Sequence, residues 1–221
     1  MGRWQTMMAR DGHEFAAYMA PAIGTPRGAV VILQEIFGVN EHIRGVVDQY
    51  AAAGFLTIAP ALFDRVARNI ELDYTPADFE LGRGYRVQIE LAKRLLDITA
   101  AINVVRHAGR VALVGYCWGG QLAWIGGSQL RVNAVVGYYA SRVWEVLEHV
   151  PKCPTLLHFG DQDEFIPRAQ VEKVQAAYPT GQYFFYPATH GFNCNARANY
   201  DAPSAQLAWQ RTQAFLTEHI G

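Results

Sequence analysis

Short, almost unbroken apolar runs recur along this chain, and most of them lead into a longer segment with helical spacing. The runs cover residues 29–33, 55–59, 111–114, 134–138, 155–159 and 183–186, and most are rich in β-branched or aromatic side chains. A strand with one wet face alternates apolar and polar residues. A run that is apolar throughout reads instead as a strand buried on both faces of a parallel sheet. Between the runs, residues 41–53 place Ile43, Val46, Val47 and Tyr50 at helical spacing, with Gly54 set to end the helix. Residues 85–106 repeat the pattern through Ile89, Leu95, Leu96, Ile102 and Val105, and further helices are predicted over 119–128, 167–178 and 204–220. Alternating strands and helices predict an α/β fold, a mostly parallel, doubly wound sheet with helices on both faces. Asp11-Gly12, between two short extended segments, predicts an antiparallel N-terminal hairpin on the sheet edge.

At 221 residues the chain fits a single domain, 1–221. Half of it is apolar, 51%, and only 18% is charged, which suits a substantial core. A net charge of −1 provides no basic field, so nucleic acid and anionic membrane surfaces are not expected partners. No apolar run approaches the roughly 18 residues that span a bilayer. Residues 1–6 lack the apolar core of a secretory signal. The cysteines, Cys117, Cys153 and Cys194, are odd in number and irregularly spaced, which argues against a disulfide framework. The expectation is a cytoplasmic protein.

In parallel α/β sheets, ligands bind beyond the carboxyl ends of the strands. The run at 111–114 leads into Gly115-Tyr116-Cys117-Trp118-Gly119-Gly120 and then a helix. Gly-x-nucleophile-x-Gly between strand and helix is the pattern of a nucleophile elbow, whose middle residue is strained and pushed out of the sheet. Gly115 and Gly119 are expected to flank it because a Cβ at either site would collide with a neighbouring element. Cysteine replaces the more usual serine, and the following helix N-terminus favours its thiolate. The backbone N–H of Trp118 is expected to face a developing oxyanion. The competing reading is a buried, inert cysteine in a glycine-rich turn.

A thiol nucleophile needs a base, and the base needs an orienting acid. His190 follows the last run, opens His190-Gly191-Phe192, and precedes the C-terminal helix. His13, His42, His107, His149 and His219 read as solvated, and His158 as packed within a strand. Gly160-Asp161-Gln162-Asp163 follows the run at 155–159. Asp163 is the better acid, because Gly-x-x-Asp leaves room to curl back toward a histidine on the next loop. Asp161 is expected to cap the turn. The chain order Cys117, Asp163, His190 is the nucleophile–acid–histidine order of α/β-hydrolases. Glu35, in Gln34-Glu35-Ile36-Phe37-Gly38-Val39-Asn40 after the first parallel run, lies among apolar residues and so requires a nearby donor or a raised pKa.

Together these residues resemble the dienelactone hydrolase family, the carboxymethylenebutenolidase-like proteins of α/β-hydrolase fold. The most specific pieces are residues 34–40 and 114–120; Gly137-Tyr138-Tyr139, residues 160–163 with Pro167, and residues 190–192 match more weakly. The resemblance implies Cys117 as nucleophile, His190 as base and Asp163 as its acid, with the Ile36 and Trp118 amides forming an oxyanion hole. It implies that Glu35 holds the resting thiol and takes its proton when substrate arrives. Tyr85 corresponds to a substrate-pocket tyrosine, and Phe37 and Phe192 are expected beside it. Family members that open dienelactone hold its carboxylate with two arginines, at positions that fall here on Leu81 and Cys194. Arg83 and Arg197 lie two and three residues away and are the candidate replacements.

The expected protein is a carboxylic ester hydrolase acting on a small activated ester or enol lactone through an acyl-cysteine. No cofactor and no metal are expected, since the cysteines and histidines lack zinc-ligand spacing, and no obligate protein partner is evident. Two other classes remain open. One is a redox or electrophile sensor pairing Cys117 with Cys194; the other is a non-catalytic binding module on a hydrolase scaffold.

Overall fold

Each of the apolar runs forms a strand in the computed structural model, which describes residues 1–221. The chain divides into two compact units, Met1–Val111 and Ala112–Gly221.

The first unit holds β1 (Arg3–Met8), β2 (Glu14–Ala20), β3 (Ala29–Leu33), α1 (Glu41–Ala52), β4 (Leu56–Pro60), α2 (Pro76–Gln88) and α3 (Leu91–Val105). Its strands are ordered β1-β2-β4-β3. β1 pairs antiparallel with β2 from Met8↔Glu14 outward, so the hairpin foreseen at Asp11-Gly12 is present, with Gly12 at φ +81 in the left-handed region. β2 is also antiparallel to β4, whereas β3 and β4 are parallel and buried at every residue. Asn40 caps α1, its side chain accepting from the amide of Ile43 at 3.3 Å.

The helix predicted over 85–106 is two helices. α2 begins earlier, at Thr75-Pro76, where the Thr75 hydroxyl caps the Asp78 amide. It ends at Ile89, which turns extended (φ −104, ψ 119) and is buried. The apolar spacing runs on across the break because Ile89 still faces the core. His42, expected in solvent, is 8% exposed on the inner face of α1. Arg65 grips the fully buried Asp97 of α3 through Nε (2.8 Å) and a second guanidinium nitrogen (2.6 Å), and reaches Asp11 of the hairpin at 3.0 Å. A buried carboxylate is tolerated when bound this way by a planar fork.

The second unit begins one residue into β5 (Val111–Tyr116) and holds α4 (Trp118–Gln129), β6 (Ala134–Tyr138), β7 (Thr155–Gly160), α5 (Arg168–Ala177), β8 (Gln182–Tyr186) and α6 (Ala202–His219). Its strands run in sequence order and are all parallel. β5, β6 and β7 are buried throughout, as their composition demands. β8 is only half-buried, with the guanidiniums of Arg168 and Arg211 lying 3.6 and 4.0 Å from the ring centres of Phe185 and Phe184.

One polar cluster sits inside this unit. His158 of β7 bonds the Tyr186 hydroxyl of β8 at 2.8 Å and the Thr212 hydroxyl of α6 at 2.9 Å, and Thr212 meets the Tyr138 hydroxyl of β6 at 2.7 Å. Burial pushes the His158 pKa down to about 3, so the ring is neutral, and both its nitrogens are satisfied. The cluster fastens the ends of three neighbouring strands to one helix.

Candidate active site

Cys117 stands between β5 and α4 at φ 53, ψ −115, a left-handed conformation rare for any residue but glycine. Its backbone is held from three directions. The amide donates to the Tyr138 carbonyl at 3.0 Å, and the carbonyl accepts from Gly120 (3.0 Å) and Ser141 (3.1 Å). A Cβ on Gly115 would stand 1.9 Å from the Gly119 carbonyl oxygen, as the elbow pattern requires. The second close approach is at Gly120, whose Cβ would lie 2.6 Å from that of Ala140. Trp118 is the first residue of α4, so its amide belongs to the set that helix geometry leaves to outside acceptors.

His190 and Asp163 meet as the sequence suggested. Nδ1 of His190 is 2.8 Å from Oδ2 of Asp163, and both residues are buried. The other carboxylate oxygen, Oδ1, accepts from the amides of Phe165 (2.9 Å) and Ile166 (3.1 Å), which fixes the group's orientation. Asp161, the competing acid, is exposed and pairs with Arg168 at 3.1 Å instead of capping the turn. The Cys117 side chain acts on the same ring. With Nδ1 engaged by Asp163, Nε2 is the atom left for the sulfur. Burial works against a charged His190, but the Cys117 sulfur and the Asp163 carboxylate outweigh it and push the pKa up to about 10. Phe165 and Tyr139 set their rings edge-on to His190, at centre distances of 5.3 and 5.0 Å.

In the first unit, Glu35 and Ile36 lie in the turn after β3, both buried. The donor that Glu35 requires is Tyr74, whose hydroxyl lies 3.3 Å from Oε2 and itself accepts from Asn40 at 3.2 Å. Phe37 packs against Tyr74, ring centres 4.6 Å apart. A Cβ on Gly82 of α2 would fall 1.9 Å from the Ile36 carbonyl oxygen, so only glycine lets α2 lie this close to the turn.

The remaining pocket candidates are placed less suggestively. Tyr85 is half-buried against Phe63, 5.6 Å between ring centres. Arg83 is exposed and pairs with Glu80 on its own helix at 3.1 Å, and Leu81 is exposed too. Arg197 lies over the Gly191 backbone: a Cβ there would be 2.5 Å from the guanidinium. Phe192 and Cys194 are completely buried, and Phe192 packs between Tyr139 and Tyr186.

Sequence reasoning overlooked Ser141, whose Oγ is 3.3 Å from the Cys117 sulfur. The signal was available. Ser141 lies in the loop after β6, another carboxyl end of a parallel strand, where ligands of such sheets bind.

A parallel sheet whose loops bring a strained cysteine, a histidine and an aspartate together defines an α/β-hydrolase. The profile of the dienelactone hydrolase family matches residues 15–220, and the chain belongs to that family. It is 34% identical over 224 residues to the carboxymethylenebutenolidase of Pseudomonas putida, covering 96% of this chain and 94% of that protein. A carboxymethylenebutenolidase candidate from Synechocystis is 36% identical over 227 residues, covering 93% and 92%. The crystal structure of a dienelactone hydrolase candidate from Klebsiella pneumoniae superposes with a TM-score of 0.86 at 27% identity, covering 99% of this chain and all of the other. The protein is an enzyme, a hydrolase. No helix is long and apolar enough to cross a membrane.

Proposed function

We propose that this hydrolase cleaves small activated esters or enol lactones through an acyl-cysteine on Cys117. The observation that carries the reading is His190, hydrogen-bonded to Asp163 through Nδ1 and shifted toward its protonated form by the Cys117 sulfur and the Asp163 carboxylate. A histidine shifted toward its protonated form beside a cysteine supports a thiolate–imidazolium pair once Glu35 has taken the thiol proton. The thiolate attacks the carbonyl carbon, and the C–O bond to the leaving alkoxide breaks as that oxygen takes the proton of His190. Neutral His190 then removes a proton from water, which attacks the thioester. The C–S bond breaks with its electron pair on sulfur, restoring the thiolate and imidazolium. The amides of Trp118 and Ile36 are the proposed oxyanion donors. Glu35, its carboxylate fixed by Tyr74, is the proposed group that manages the thiol proton. The match of the family profile across both compact units supports reading 1–221 as one hydrolase domain.

The test is rapid mixing with a chromogenic aryl ester, followed by acid quench and mass analysis. A burst of one leaving group per chain, with the acyl mass on the peptide containing Cys117, is expected. A burst whose label lies elsewhere, or turnover untouched by prior carboxymethylation of Cys117, would overturn the reading.

We also propose that the natural substrate lacks the carboxylate of dienelactone. Leu81 offers that group no charge, Cys194 is buried, and Arg83 is turned to Glu80 in solvent. An arginine–carboxylate contact in a dry pocket contributes about 1.5–3 kcal/mol. Two missing contacts should lower kcat/KM for dienelactone by roughly 10²–10⁴ relative to a neutral lactone of similar size. Equal or better kcat/KM for dienelactone would refute this.

A further inference from the structure

We infer that Ser141 is a further catalytic residue of this site, its hydroxyl donating a hydrogen bond to the Cys117 sulfur as that atom leaves the acyl group. The inference rests on Cys117 being the nucleophile and adds a role that the triad does not contain. Ser141 Oγ is 3.3 Å from Sγ, a separation at which either atom could donate. Once the thiol has lost its proton the sulfur is an anion with nothing to donate, so the hydroxyl hydrogen must point to it.

The placement of that hydroxyl is built into the backbone. The Ser141 amide donates to the Cys117 carbonyl at 3.1 Å, so the two residues are locked together by main chain as well as side chain. Tyr139 (φ 38) and Arg142 (φ 58) bracket Ser141 in left-handed conformations that non-glycine residues seldom adopt. Such conformations persist only where the surroundings over-determine them, and they cluster at functional sites. Here the surroundings are explicit. The Tyr139 amide is held by the His158 carbonyl at 2.7 Å, the Arg142 carbonyl by the Gln121 side chain at 2.9 Å, and Ala140 lies against Gly120. The result is a short strap after β6 drawn across the elbow, with one hydroxyl on the sulfur.

The chemistry separates the two half-reactions. During acylation the sulfur loses negative charge to the carbonyl oxygen, so a hydrogen bond to it weakens on the way to the transition state. During deacylation water forms its bond to the carbonyl carbon, the C–S bond breaks, and charge returns to sulfur. The same hydrogen bond then strengthens. Only an interaction stronger in the transition state than before it accelerates a step, so Ser141 favours deacylation and slightly opposes acylation. A hydrogen bond to a charged group supports about a tenfold effect on the favoured step.

Wild type, Ser141→Ala and Ser141→Thr are mixed rapidly with a chromogenic aryl ester at one pH. The burst rate gives acylation, and the decay of the acyl–Cys117 mass gives deacylation. In Ser141→Ala, deacylation is expected to slow about tenfold while acylation is unchanged or faster, so acyl-enzyme accumulates. Ser141→Thr, which keeps a hydroxyl, is expected to restore deacylation to within about threefold of wild type. Equal slowing of both steps in Ser141→Ala would indicate a disturbed elbow and overturn the proposal, as would both rates staying within twofold of wild type. Absence of acyl–Cys117 from wild type would remove the parent reading and this one with it, so the two failures are distinguishable.

Discussion

Replacing Cys117 by glycine is expected to abolish ester hydrolysis while leaving the protein more stable than the corresponding alanine variant. The activity loss follows from removing the sulfur proposed to carry the acyl group, and on the order of 10⁵–10⁶ in kcat is the usual scale for losing a nucleophile. The stability order is the less ordinary part. At φ 53, ψ −115 the residue sits close to the first central position of a type II′ turn, a conformation dominated by glycine. A side chain there costs roughly 1–3 kcal/mol. Alanine removes the thiol but keeps the Cβ and so keeps the strain; glycine releases it. Against that, glycine gives up about 0.5–1 kcal/mol through the freedom of the unfolded chain. The balance favours glycine by up to about 2 kcal/mol, the reverse of the order these residues show in ordinary helices and strands. Denaturant unfolding of the two variants, beside the ester assay, measures both quantities. If Cys117→Ala is the more stable of the pair, the elbow stores no strain. If either variant keeps activity within tenfold of wild type, Cys117 is not the nucleophile.

That elbow was readable in the sequence because its constraints are local. Gly-x-Cys-x-Gly between a buried strand and a helix fixes the turn, and the strands β3 to β8 announce themselves by runs that are almost continuously apolar. His190 and Asp163 were readable for a related reason: each follows a strand directly, and parallel strands deliver their exits to one end of a sheet. What escaped depended on long-range packing. Tyr74 supplies the donor to Glu35 from 39 residues away, through a segment with no periodic signal of its own. Ser141 reaches Cys117 because β5 and β6 pair Tyr116 with Tyr138, and no local pattern encodes that register. Other features did carry local cues. His42 heads the stripe His42, Val46, Tyr50 at four-residue intervals, so it shares the buried face of α1. Thr75-Pro76-Ala77-Asp78 carries a helix start, which would have divided the supposed long helix in two.

The geometry around Asp163 leads to the second large effect. Asp163→Asn is expected to lower kcat/KM by on the order of 10⁴ with little change in fold. Oδ1 of Asp163 accepts from the amides of Phe165 and Ile166, and an asparagine oxygen takes over both bonds only if it occupies that same position. The side-chain NH₂ is then forced into the place of Oδ2, 2.8 Å from Nδ1 of His190. An NH₂ donates, so Nδ1 must become the acceptor and the ring proton must move to Nε2. A ring in that tautomer presents an N–H to Cys117 and to the incoming water where a base is needed. Nor does the imidazolium rescue it, since Nδ1–H would face a second donor inside a buried site with no compensating charge. The substitution therefore fixes the wrong tautomer without moving an atom. Asp161→Asn is the matched control: its carboxylate is exposed and pairs with Arg168 at 3.1 Å, an interaction of the kind that contributes little. Activity within about twofold of wild type is expected there. Steady-state assays of both variants, with far-ultraviolet circular dichroism to confirm the fold, decide the assignment. A loss larger in Asp161→Asn than in Asp163→Asn would transfer the role to the exposed carboxylate. A loss under tenfold in Asp163→Asn would mean that His190 works without an orienting acid.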